Sequence, residues 1–138
     1  MERQLKSIGI IKTPYNNISE CPKNISGDGP MCEIIVKKKY EAGLLGLNKN
    51  TRIVVLYWLD KYENTESDLQ VISHADIKNL RGIFSIRTPR RPNPIGLAIV
   101  TIIEIDGNSI FVKGLDCIDG TTLIDIKPAI YKELNETK

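Results

Sequence analysis

Three arginines and three prolines are interleaved in one short run. Residues 81–97 read Arg-Gly-Ile-Phe-Ser-Ile-Arg-Thr-Pro-Arg-Arg-Pro-Asn-Pro-Ile-Gly-Leu. Each proline fixes its own φ near −65° and pushes the residue before it toward extended geometry, so this loop starts stiff and loses little entropy when it grips a ligand. Prolines lack N–H groups, which leaves carbonyls without neighbouring donors, and Arg87, Arg90 and Arg91 supply rigid planar donor forks. Carbonyls with cationic forks suit a nucleotide-like or phosphate-bearing ligand; the plainer reading is a rigid connection with solvated arginines. A second run, Gly-Leu-Asp-Cys-Ile-Asp-Gly-Thr-Thr-Leu-Ile-Asp-Ile-Lys-Pro at 114–128, gathers Asp116, Asp119 and Asp125 with Lys127. Asp119 beside Gly120 can form an Asx turn. Asp125 and Lys127 share one side of an extended segment and make either an ion pair or an orienting couple.

The rest of the titratable inventory is sparse. His74 is the sole histidine, read either as a surface residue or as a proton acceptor or substrate contact. Lys37-Lys38-Lys39 is a basic triplet; in an extended strand two of the three share a face, which suits phosphate contacts or a solvated edge that resists strand pairing. Cys21, Cys32 and Cys117 are odd in number and widely spaced, and with one histidine they assemble no familiar zinc ligand set. They read as reduced, apolar residues of a cytoplasmic protein, with no metal expected.

These groups must be held by a chain of 138 residues, the length of one domain with a core of its own. A net charge of +2 is too mild to indicate nucleic acid by itself. Glu2, Arg3 and Lys6 precede only a short apolar run, so no signal peptide is expected, and no segment reaches the roughly 18–20 apolar residues of a membrane span. Strands are expected at Ser7–Lys12, Cys32–Lys39, Arg52–Leu59, Asp68–His74, Gly82–Ile86, Ile95–Ile105, Ser109–Leu115 and Leu123–Lys127. Helical turns are expected at Tyr40–Leu47 and Ala75–Leu80. The unbroken apolar run Ile53–Trp58 predicts burial on both faces, in a barrel or at a subunit contact. Asp106-Gly107-Asn108 predicts a tight hairpin turn pairing Ala98–Ile105 with Ser109–Leu115. Gly96, just after the proline loop, predicts a close approach of backbone or ligand. The Pro- and Gly-bearing loop 14–31 is long enough to suggest function or mobility, and the tail 132–138 is expected to fray. Short strands between turn signals predict an all-β single-domain β-barrel with minor helical turns.

The two runs together resemble the TsaA-like (TrmO) family of tRNA methyltransferases. Its Gly-[Ile/Val]-Phe-x-x-Arg-x-Pro-x-Arg-Pro-Asn-Pro-Ile-Gly-Leu signature matches Gly82–Leu97, and its Gly-Leu-Asp-x-x-Asp-Gly-Thr-Pro-x-x-Asp-Ile-Lys-Pro signature matches Gly114–Pro128 with Thr122 in place of proline. The Ile8–Ile11 strand and the Tyr40…Gly43-Leu44…Gly46-Leu47 turn also fit. Pro22-Lys23-Asn24 and Lys49-Asn50-Thr51 stand where the family has Pro-x-Gln and Phe-Ser-His.

The resemblance implies a small β-barrel-like fold, a homodimer, S-adenosylmethionine as cofactor, and methylation of the exocyclic nitrogen of threonylcarbamoyl-adenosine beside the tRNA anticodon. It places cofactor contacts at Phe84, Arg87, Pro89, Arg91, Pro92, Asn93, Pro94, Ile95, Gly96, Leu97, Asp119, Gly120 and Thr121, with Arg87 the first choice for the methionine carboxylate. Asp116, Asp125 and Lys127 become the catalytic candidates. Arg90, His74, Lys37 and Lys39 become substrate contacts, with Arg91 beside Arg90 also suited to tRNA phosphates. The departures leave three alternatives: methyl transfer to another substrate, a cofactor sensor without catalysis, and a β-barrel RNA-binding adaptor.

Overall fold

The computed structural model describes residues 1–63, 68–73 and 76–130. Among the described residues nine strands form: β1 (Gly9–Lys12), β2 (Met31–Val36), β3 (Arg52–Trp58), β4 (Gln70–Ser73), β5 (Asp76–Gly82), β6 (Ile95–Thr101), β7 (Glu104–Asp106), β8 (Ser109–Lys113) and β9 (Thr121–Pro128). Seven make one antiparallel sheet in the order β6-β3-β9-β1-β2-β8-β7, and β4 and β5 pair as a separate ribbon. Short 3₁₀ turns at Ile18–Glu20, Lys38–Leu44, Asp60–Tyr62 and Ile83–Ser85 are the helical content of the described residues. The all-β reading with minor helical turns therefore holds.

Period-two alternation builds the core. Ile11, Ile34, Val36, Ile53, Val55, Tyr57, Ala98, Val100, Ile110, Val112 and Leu123 all point to one side of the sheet and are buried. Fully burying an aliphatic side chain of this size contributes about 1.5–3 kcal/mol. On β3 the opposite face is not uniformly closed: Val54 is buried, but Leu56 and Trp58 are half-exposed, so the unbroken apolar run is dry on one face only.

A closed barrel does not form. β6 and β7 are the two edges of the sheet, and no ladder joins them. They are consecutive in sequence, and the chain passes between the edges through Ile102 and Ile103. The Ile102 N–H donates to Thr51 O at 2.8 Å and the Ile103 N–H to Phe111 O at 2.8 Å. The sheet is thus spliced end to end by two residues rather than closed by pairing.

Several element boundaries shift for local reasons. The extended segment expected to reach Lys39 stops at Val36, where Lys37 caps a 3₁₀ turn, so the lysine triplet does not alternate across a strand. Of the residues expected to turn helically at Ala75–Leu80, Ala75 lies outside the described residues and Asp76–Leu80 belong to β5, whose partner β4 supplies the hydrogen bonds that propensity could not foresee. Of the strand expected at Gly82–Ile86, Gly82 ends β5 and Ile83–Ser85 form a 3₁₀ turn instead. The hairpin turn forms with Gly107 at φ +61°, but it joins only β7 to β8; Ala98–Thr101 pairs with β3.

Candidate functional site

The proline loop between Ile83–Ser85 and β6 is organised by one of its own arginines. Arg91 Nη1 donates to three carbonyls: Ile86 O at 2.9 Å, Ile83 O at 3.1 Å and Thr88 O at 3.4 Å. Its guanidinium lies 5.7 Å from the Phe84 ring centroid, within cation–π range. Two more loop carbonyls are satisfied by backbone: Leu59 N–H donates to Pro94 O and Ile95 N–H to Asn93 O, each at 2.7 Å. Carbonyls at Ile83, Ile86, Thr88, Asn93 and Pro94 therefore hold the loop together rather than face a ligand. Prolines set the backbone angles, and Arg91 closes the shape.

The outer side of this loop offers side chains. Arg87, Arg90, Pro92 and Asn93 are exposed, Pro89 and Gly96 are half-buried, and Pro94 is buried. Phe84 is 75% exposed, and Ile95 and Leu97 are about two fifths exposed, an unusual density of uncovered apolar surface beside a cationic loop. Arg90 stacks 5.6 Å from the Tyr62 ring centroid.

The first signature meets the second through Tyr57, a β3 residue outside both. Tyr57 is 2% exposed. Its hydroxyl donates to Asp116 Oδ1 at 2.8 Å. Its ring covers Gly96, the cross-strand neighbour. A Cβ on Gly96 would lie within 2.8 Å of ring atoms Cδ2 and Cζ and closer still to Cε2. A close approach does occur at Gly96, but it is made by this side-chain ring rather than by the backbone or ligand expected. Burial pushes the Tyr57 hydroxyl far up, with the Asp116 charge adding to the shift and Arg87 opposing it, so the hydroxyl stays protonated and a donor. Burial also raises the Asp116 carboxyl, which the Tyr57 bond and the residue's own backbone partly offset.

A second meeting point lies one turn on. Asp60 accepts from the Thr122 N–H at 3.3 Å and from its hydroxyl at 3.1 Å. Asp60 begins the 3₁₀ turn that ends at Tyr62, the ring under Arg90. Thr122, where the family signature has proline, uses the N–H that a proline would lack.

The three catalytic candidates are split. Asp125 is the cross-strand partner of Leu56, so it faces away from Tyr57 and the Tyr57–Asp116 pair. Its carboxylate pairs with Lys127 at 3.0 Å, with the side chains 42% and 60% exposed. Asp119, Gly120 and Thr121 build the turn that enters β9. Asp119 Oδ1 accepts the Thr13 N–H at 3.1 Å, Gly120 N–H reaches Ile11 O at 2.9 Å with φ +85°, and the buried Thr121 hydroxyl bonds Ile118 O at 2.6 Å. Lys37 is exposed, and Lys39 lies 5.1 Å from the Tyr40 ring centroid. His74 lies outside the described residues. Tyr57, Asp60 and Tyr62 were missed in the sequence because a tyrosine inside an apolar strand reads as core; the only sequence cue was the Asp-Lys-Tyr-Glu run directly after that strand.

Comparison with known proteins follows the same residues. The family model of the tRNA-methyltransferase O N-terminal domain matches residues 10–133. A probable S-adenosyl-L-methionine-binding protein VirR of Rhizobium radiobacter is 42% identical over 121 residues, covering 88% of this chain and 67% of the relative. An S-adenosyl-L-methionine-binding protein of Archaeoglobus fulgidus is 37% identical, covering 89% of this chain and 86% of the relative. The mouse tRNA (adenine(37)-N6)-methyltransferase is 35% identical over 92 residues, 65% of this chain but 21% of the mouse protein. The crystal structure of TrmO from Pseudomonas aeruginosa has the same fold, with TM-score 0.74 at 19% identity over the whole of this chain and 60% of that one. The chain therefore spans most of some relatives and a fifth to three fifths of others.

Proposed function

The chain belongs to the family of the tRNA-methyltransferase O N-terminal domain, and from that premise we propose that it is an S-adenosylmethionine-dependent methyltransferase acting on tRNA. The acceptor in this reading is the exocyclic nitrogen of threonylcarbamoyl-adenosine beside the anticodon. The observation that carries the reading is the joining of the two signature runs at Tyr57, with an exposed arginine loop on one side and a half-buried carboxylate on the other.

The donor set fits the cofactor. Arg87 is an exposed planar fork suited to its carboxylate. Phe84, Ile95 and Leu97 offer uncovered apolar faces for a purine. Pro89, Pro92, Asn93 and Gly96 form the wall between them, fixed in place by Arg91 and Pro94. When bound, the cofactor supplies an activated methyl group, so the protein's work is positioning. Asp116 is the first choice for accepting the proton from the acceptor N–H, because Tyr57 leaves it one further oxygen. Asp125 and Lys127 support β9 from the other face. Asp119, Gly120 and Thr121 act by fixing the turn that leads into that strand. Arg90, Lys37 and Lys39 suit tRNA phosphates, and His74 is a further substrate contact.

The same reading includes a homodimer and a cytoplasmic setting. β6 is an edge strand that carries the uncovered Ile95 and Leu97, and Ile72 and Leu80 on the β4–β5 ribbon, with Leu69 just before it, are 62–65% exposed, which an isolated pair of strands does not easily sustain alone. Sedimentation at micromolar concentration tests this; a monomer refutes it. No helix of the described residues is long and apolar enough to cross a membrane.

Methyl transfer is tested with labelled S-adenosylmethionine and tRNA bearing or lacking the threonylcarbamoyl group, alongside calorimetric titration of the cofactor into the wild type and Arg87→Ala. Transfer that needs the modified base, and binding that needs Arg87, support the reading. A second reading, cofactor binding without transfer, is favoured by the names of the bacterial and archaeal relatives. Binding with no transfer to any tRNA would select it.

A further inference from the structure

We propose that Tyr57 is the positioning residue for Asp116, holding its carboxylate oriented for the methyl-transfer reaction. This rests on the methyltransferase reading above. Tyr57 stands outside both signatures, yet each gives up something to accommodate it. The first keeps glycine at position 96, where any Cβ would strike the ring. The second places Asp116 where its Oδ1 receives the hydroxyl. A residue needed only to fill the core would be better served by phenylalanine, which brings no polar group that must find a partner on burial. The bond instead fixes one oxygen of Asp116, and Oδ2 carries no side-chain partner among the described residues. That is the geometry of a carboxylate aimed at an incoming hydrogen-bond donor.

The surroundings make Asp116 the group that titrates. From β3 it faces Tyr57, whose hydroxyl is pushed far up and stays neutral. Its chain neighbour Cys117 is pushed up to about 12 by burial. Cys21, from the loop after Ile18–Glu20, is raised by burial, by Asp116 and by Glu20. Arg87, from the proline loop, opposes the rise at Tyr57. Burial raises the Asp116 carboxyl and the Tyr57 bond lowers it. Deleting the hydroxyl therefore lets the carboxyl hold its proton to higher pH.

The test is the pH–rate profile of tRNA methylation by the wild type, Tyr57→Phe and Asp116→Asn, and the double variant. Tyr57→Phe is expected to fold, to lose roughly tenfold or more in kcat/KM, the worth of one hydrogen bond to a charged group, and to shift the acid limb of its profile upward. Its loss and that of Asp116→Asn should be strongly non-additive. Site-specific 3-fluorotyrosine at position 57, a stronger donor of nearly the same size, should move the limb the other way even if Tyr57→Phe proves unstable. An unmoved limb in both variants, or additive losses, overturns the proposal while wild-type activity keeps the methyltransferase reading intact. A wild type that transfers no methyl group overturns both.

Discussion

Replacing Arg91 by alanine tests whether it acts as the loop clasp that its contacts make it or as the cofactor or phosphate contact that the sequence offers. In the structure one nitrogen of its guanidinium reaches three carbonyls, at 2.9, 3.1 and 3.4 Å. Nη1 carries two hydrogens, so the longest contact shares a hydrogen and counts as partial. Two bonds from a charged donor are worth about 1.5–3 kcal/mol each before solvent competes. Arg91 is half-buried, and of the three acceptor residues only Ile83 is buried, so water re-solvates part of what is lost. A net loss of about 2–3 kcal/mol in the loop's closed form is the reasonable figure for Arg91→Ala. The Phe84 stack, exposed on one side, adds about 0.5–1 kcal/mol. If the closed loop is what binds the cofactor, a shift of about 2–3 kcal/mol weakens affinity by at most about 30- to 160-fold. Calorimetric titration with S-adenosylmethionine measures this. Lysine, a point donor on a longer stem, should recover only part of it. Faster amide exchange through residues 83–95 should accompany the loss. The reasoning is refuted if Arg91→Ala binds cofactor normally and instead loses tRNA affinity with a reduced salt slope, the signature of a phosphate contact.

Asp116→Asn should be at least as heat-stable as the wild type near neutral pH but poorer in methyl transfer. The folded carboxyl is raised above its unfolded value, so the wild type is destabilised relative to the amide as pH rises above about 4 and is equal to it below; thermal melts across pH check the sign. Gly114→Ala should be severely destabilising, by about 3 kcal/mol or more, because φ is +81° and a Cβ would overlap the Ser26 carbonyl; a chemical denaturation curve reads this. Asp125→Asn should cost under about 1 kcal/mol, since its pair with Lys127 is well exposed, and should spare activity that Asp116→Asn loses. Brief alkylation of the native protein should label Cys21 first, because Cys32 and Cys117 are buried; peptide mass spectrometry locates the label.

What could be read from the sequence divides along a physical line. Strands whose hydrogen-bond partners are nearby, or whose alternation is strong, were legible: β1, β3, β8 and β9 lie where the pattern put them, within a residue or two. β5 was not, because Asp-Ile-Lys-Asn-Leu-Arg has no strong strand preference and becomes a strand only through β4. The hairpin at Gly107 was legible as a turn but not in its extent, since the partner of Ala98–Thr101 lies over forty residues upstream in β3. Barrel closure depended on edge geometry that no local pattern carries, and it is decided by two residues, Ile102 and Ile103.

The site shows the same division, and it bears on how its residues should be weighed. Motif spacing announces which residues a ligand might meet, but it is silent on which of them are already occupied by the protein. Arg91, Asp119 and Thr121 look in the sequence like Arg87 and Asp116; in the fold their donors and acceptors are engaged with backbone groups. Arg87 stays exposed, and Asp116 keeps an oxygen free of side-chain partners among the described residues. Substituting an engaged residue should therefore act through shape, lowering cofactor affinity and stability together, whereas substituting Arg87 should lower affinity and leave the melting temperature within a degree or two. A loss of stability in Arg87→Ala matching that in Arg91→Ala would show that the two arginines hold the loop alike.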